Sequence, residues 1–172
     1  MKREHFVQLT CGLMALGAAK GRTREPSQQA AERRQKLHDA WLQSFLENLD
    51  AHVDEATRTK MMLSVGRACA RRSMVKVAQS CHGDLDKLLE TLAHHLGKEN
   101  CRREGSVINL RYPKCYCHIV GAGPERLSNT WCNCSRGWVH EVFETVTGKP
   151  VEVELTRSIK RGDPDCRFVV RV

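Results

Sequence analysis

From Leu37 onward, apolar residues recur at helical spacing: Leu37, Trp41, Leu42, Phe45, Leu46 and Leu49. This spacing predicts a helix that follows a polar linker, with Ser27 as its cap, and ends near Asp50. A second helix is expected to start around Asp54 and turn Met61, Met62, Val65, Ala68 and Cys69 inward, with Arg71 and Arg72 at its negative C-terminal end. A short third helix covers 74–80 and Gly83 breaks it. Asp84 then caps a fourth, which carries Leu85, Leu88, Leu89, Leu92 and Leu96 on one side and stops at Gly97.

After Gly105 the period shortens. Val107, Ile108 and Leu110 read as extended chain, and Tyr112-Pro113 interrupts them. Residues 114–120 read as a strand, which would put Cys115 and Cys117 on one face. Gly121 to Pro124 read as a turn, and 135–147 as a helix with Val139, Val142, Phe143 and Val146 inward and Gly148 as terminator. Residues 151–159 and 166–172 form the two arms of a hairpin: Val151, Val153 and Leu155 alternate with Glu152, Glu154 and Thr156, so one face is buried and one is wet. The expected fold class is α+β: an N-terminal helical bundle packed on a C-terminal antiparallel sheet with one intervening helix. Residues 31–104 form the helical part and 105–172 the cysteine-rich α+β part, together one domain after a linker at 21–30.

The composition adds little to this outline. Of 172 residues, 41% are hydrophobic and 28% charged, as in ordinary globular domains. The net charge of +8 comes from scattered basic residues, and aromatics are only 5%, so the stacking platforms of a nucleic-acid binder are not expected. Residues 1–20 have Lys2 and Arg3 before an uncharged run from Phe6 to Ala19, the shape of an export signal. They also resemble a twin-arginine signal in which Glu4 replaces the second arginine. Export and a cytoplasmic location both stay open. The run is too short for a stable membrane span.

The nine cysteines change the picture more. Two Cys-x-Cys pairs, Cys115/Cys117 and Cys132/Cys134, flank the loop, and Cys166 opens the last strand. Two close thiol pairs can surround one soft metal ion, with Cys166 as a fifth ligand or a replacement. Zinc leads, and an iron–sulfur cluster or copper(I) would accept the same set. Disulfides and free thiols are the alternatives, and a disulfide inside one Cys-x-Cys would be strained. Cys117-His118 falls one residue short of the c-type haem motif, so covalent haem is not expected. Cys134 opens the helix, where the dipole favours a thiolate. That setting defines the enzymatic alternative: a small hydrolase or thiol-dependent enzyme using Cys134 or a metal-bound water. Whether the chain is an enzyme stays open.

The segment from Trp131 to Val170, with its helix, its hairpin and the Cys-x-Phe of Cys166 to Phe168 after Gly162, resembles the four-vinyl-reductase domain, a small-molecule-binding α+β domain. The resemblance covers about 105–172. It implies a pocket between sheet and helices lined by Tyr116, Trp131, Trp138 and Phe143, and a small-molecule ligand. A homodimer stays open. Related phenol-sensing domains hold zinc with a cysteine at the Cys166 position, a second cysteine eight residues earlier and a glutamate before it. Ser158 and Leu155 stand at those two places here, so the Cys-x-Cys pairs are expected to supply the missing thiols. The chain is also similar, more faintly, to the aminothiazoline-carboxylate hydrolase family, to which no catalytic residue can be matched.

Overall fold

The computed structural model describes residues 26–120 and 126–172. The expected export segment and the turn from Gly121 to Pro124 lie outside the described residues. Helix α1 spans Pro26–His52 and takes in Ser27, so proline rather than serine opens it. Helix α2 (Glu55–Ser73) and helix α4 (Leu85–Leu96) begin as their caps dictate: Asp54 accepts from the Thr57 N–H and Asp84 from the Lys87 N–H, both at 2.9 Å. Between them α3 covers Val75–Ser80. Helix α5 spans Asn133–Thr147 and ends at Gly148 in the left-handed region.

Four strands, β1 (Cys101–Glu104), β2 (Val107–Tyr112), β3 (Glu152–Arg157) and β4 (Cys166–Arg171), form one antiparallel sheet in the order β1-β2-β4-β3. Its inner face carries Ile108, Leu110, Val153, Leu155, Phe168 and Val170. These pack on Val139, Val142, Phe143 and Val146 of α5 and on the leucines of α4. The molecule is thus the expected α+β architecture. A smaller cluster joins Leu42 and Leu46 of α1 to Val120 and Leu127. No helix among the described residues is long and apolar enough to cross a membrane.

Helices α2 and α5 touch backbone to backbone. A Cβ on Gly66 would lie 1.8 Å from the Cys134 carbonyl oxygen, and one on Gly137 would lie 2.1 Å from that of Leu63. Only glycine permits this approach. Across the same seam Arg67 donates to Glu141 and Glu144, and Arg71 pairs with Glu141. The contact also corrects the predicted face of α2. Met62 is buried as expected, together with Gly66 and Ala70, whereas Met61, Val65 and Cys69 are exposed, because the small residues Gly66 and Ala70 line the closest crossing.

Two further expectations change. Residues 114–120 form no strand and run as turns and irregular chain. Both neighbours of β2 run out here: β1 begins at Cys101, opposite Leu110, and β4 at Cys166, opposite Tyr112, so alternation beyond Tyr112 finds no partner. Strand β1, with the polar sequence Cys-Arg-Arg-Glu, was not expected. It is an edge strand, where charge is the normal protection, and Gly105 at φ 62 turns it into β2.

Candidate thiol site

The segment 126–132 is fastened to the 3-10 turn Ile159–Arg161 that follows β3. The Leu127 N–H donates to the Lys160 carbonyl at 2.8 Å, Arg161 donates to the Asn129 carbonyl at 2.8 Å, and Arg126 to the Arg161 carbonyl at 3.0 Å. On the other side Thr130 donates to the Asp50 carboxylate at 2.6 Å, which ties the loop to the end of α1. The 158–163 turn is itself closed by the Ser158 N–H donating to the Asp163 carboxylate and by Gly162 at φ 100. These bonds deliver Cys132 to the start of β4.

There Ser158, fully buried, donates its hydroxyl to the Cys132 sulfur at 2.9 Å. The Ile159 N–H donates to the Cys166 sulfur at 3.4 Å. Cys115 lies within electrostatic range of both sulfurs. A second group adjoins the first. The Cys134 thiol feels those of Cys117, Cys69 and Cys132, and Cys117 packs on the α1–loop cluster. Cys115 and Cys117 thus enter different neighbourhoods, as an irregular chain allows and a strand would not. All five sequence candidates fall in this one region. Among the described residues, however, no three His, Cys, Asp or Glu side chains are arranged to hold a metal ion, and the eight described cysteines are free of disulfides.

Burial pushes the Cys132 thiol up to about 11 against the pull of the Ser158 bond, and it also raises Cys166. Burial, followed by the neighbouring sulfurs Cys117, Cys69 and Cys132, pushes Cys134 up to about 12. The expected helix-start thiolate is therefore a neutral thiol near pH 7, because burial among sulfur atoms outweighs the dipole. A cation would reverse these shifts, since thiolates bind metal and thiols do not.

The aromatic candidates are placed differently. Phe143 is fully buried as a core residue, while Trp131, Trp138 and Tyr116 pack on the margin of the same core. Trp138 donates to the Ser73 hydroxyl at 3.1 Å, and Tyr116 to the His95 carbonyl at 3.2 Å. Two open cavities lie elsewhere. One, of about 550 Å³, is on the outer sheet face beside Arg102, Arg111 and Arg167. The other, of about 920 Å³, lies along α2 beside Thr59, Leu63 and Arg67. The four aromatics line neither. Sequence reasoning missed one part of the sulfur region: Ser158 had no signal except its place eight residues before Cys166. Cys69, a distant ligand candidate from the sequence, was expected to pack inward and is exposed.

Fold and sulfur region together define a cysteine-rich α+β protein. Residues 25–171 match a family model described as a family of unknown function (DUF6144), and the chain belongs to that family. No curated protein matches the chain.

Proposed function

We propose that the chain is a cysteine-ligated metal protein that binds or senses a small molecule, with zinc as the metal. The observation that carries this reading is the buried Cys132–Ser158–Cys166 contact, with Cys115 in range. Hydroxyl and backbone N–H donors aimed at sulfur are the partners that a ligating thiolate needs. The resemblance to phenol-sensing domains gives the contact further sense. Ser158 stands where those domains have their second cysteine, and its hydroxyl touches Cys132. In this reading Cys132 supplies the thiol that the Ser158 position lacks, and Cys166 keeps its role. On the same reading Cys115 completes the set, with Cys117 and Cys134 beside it. An iron–sulfur cluster or copper(I) fits the same soft donors. Trp131 and Tyr116, packed on the same core, would border the ligand. A second copy of the chain is the macromolecular partner in this reading.

Elemental analysis of the purified chain, paired with thiol titration, tests the proposal. The expected result is bound metal with Cys115, Cys132 and Cys166 protected from alkylation, and loss of that metal in Cys132→Ser and Cys166→Ser. Metal-free protein in which every thiol titrates, or metal content unchanged in both variants, would overturn it.

A further inference from the structure

Helix α1 has two apolar faces. Leu42 and Leu46 are buried against Val120 and Leu127, and Leu49 packs beside them. The other face carries Leu37, Trp41 and Phe45, which are 64%, 65% and 43% exposed. These three recur four residues apart, so they form one stripe along a helix of 27 residues, about 40 Å long. Trp41 and Phe45 stack on each other with centroids 5.3 Å apart and rings 4° from parallel. An exposed stripe with a stacked Trp at its centre is the composition of an interface anchor rather than of a solvated helix face.

Charges on the flank of the stripe say what covers it. At about 100° per residue, Arg33 and Glu47 fall on the same side of the stripe, the side away from Leu42 and Leu46. They stand at opposite ends, eight residues before Trp41 and six residues after it, and both are exposed. Suppose a second α1 crosses antiparallel with the two-fold axis at Trp41. Phe45 of each copy then comes level with Leu37 of the other, and Arg33 of each comes within two residues, about 3 Å along the axis, of Glu47 of the other. Parallel pairing would put the two copies of Arg33 on opposite flanks of the interface, and likewise the two of Glu47, so neither charge would meet its opposite. Antiparallel pairing about one axis is also the closed, self-complementary arrangement of a two-fold dimer.

We infer that the Leu37–Trp41–Phe45 face of α1 is a homodimer interface, in which α1 packs antiparallel on α1 of a second copy and Arg33 pairs with Glu47 across it. This deepens the second-copy element of the proposed function and is independent of its metal.

The test is sedimentation equilibrium of the full chain and three variants, with helix content checked by circular dichroism. Trp41 is exposed, so Trp41→Glu should leave the fold intact and weaken dimerisation at least about thirtyfold, as loss of an interface anchor does. Arg33→Glu should weaken it less, and adding Glu47→Arg to that variant should restore it by recreating the cross-helix pair. A wild-type monomer throughout the accessible concentration range would overturn the inference, as would a dimer that Trp41→Glu leaves unchanged. A dimer lost in Arg33→Glu and not recovered by the double variant would overturn the antiparallel register. Metal content of the same samples separates the two readings. A monomer that keeps its metal fails only this inference, and a metal-free dimer fails only the metal.

Discussion

The two thiol groups of this molecule make an instructive contrast. Cys132 and Cys166 sit at the end of the sheet, and each receives a hydrogen bond from a group positioned by the 158–163 turn. Cys134, on the α2–α5 seam, is raised by burial and by other thiols. Both environments hold neutral sulfur near pH 7, but for different reasons. At the sheet end, a donor network opposes the burial and would stabilise negative charge if a cation bound there. On the seam, each added thiolate would meet another, so charge there is opposed by its own neighbours. The sheet-end group is therefore the better nucleus for a metal. The seam group depends on how closely two helices approach.

Gly66→Ala breaks that dependence most severely. The new methyl would fall within 1.8 Å of the Cys134 carbonyl oxygen, and the obstacle is backbone, which cannot rotate away. The helices must separate, and the expected cost is about 3 kcal/mol or more, at the upper end of overpacking. Chemical denaturation of the variant against wild type measures it. Alkylation of its partly folded population should reach Cys134 before Cys132, because the seam opens first. Equal stability to wild type would mean that the seam is looser than the glycines imply.

Much of this architecture was legible in the chain. The Asp54 and Asp84 caps, the Gly97 and Gly148 stops and the Glu-Val alternation of β3 each state a local rule, and the structure obeys them. What was not legible depended on neighbours. The inward face of α2 was misread because Met61 and Val65 look like core residues, while the true contact is made by Gly66, whose lack of a side chain leaves no hydrophobic signal. The strand expected at 114–120 had alternation, but both neighbours of β2 run out before it begins. The sulfur region was legible as a set of residues and not as a grouping. Period-two reasoning put Cys115 with Cys117, whereas the loop fastened at Leu127 and Asn129 puts Cys115 with Cys132 and Cys166.

The raised thiols also set a pH dependence. Cys132 titrates at about 11 when folded and near 9.0 when not. Between these values the unfolded chain releases a proton that the folded chain keeps. Stability is therefore fully present below about pH 9 and falls as pH rises toward 11. A two-unit shift in a buried group corresponds to about 2–3 kcal/mol. In Cys132→Ala, the difference between denaturation free energies at pH 8 and pH 11, measured without metal, should shrink by about that amount. Cys166, raised in the same direction, contributes to the remaining slope. With metal bound the ligating thiols are already ionised, so the alkaline loss should flatten. An alkaline slope identical with and without metal would detach the titrating thiols from the metal.

Ser158→Ala is the smallest change and bears most directly on the contrast. The hydroxyl is fully buried and donates to sulfur, so its removal leaves the packing nearly intact and takes away one donor from Cys132. If the sheet-end group ligates metal, losing that donor should weaken metal affinity by about tenfold, the lower range for partners of a ligand, with little change in metal-free stability. Competition against a chromophoric chelator reads the affinity, and denaturation of the metal-free variant reads the fold. Cys134→Ser provides the control on the seam, since a change there leaves the Ser158–Cys132 bond in place. A Ser158→Ala protein that binds metal as tightly as wild type, while Cys134→Ser binds it markedly less, would transfer the metal from the sheet end to the seam. The hydrogen bonds to Cys132 and Cys166 would then be ordinary satisfaction of buried polar groups.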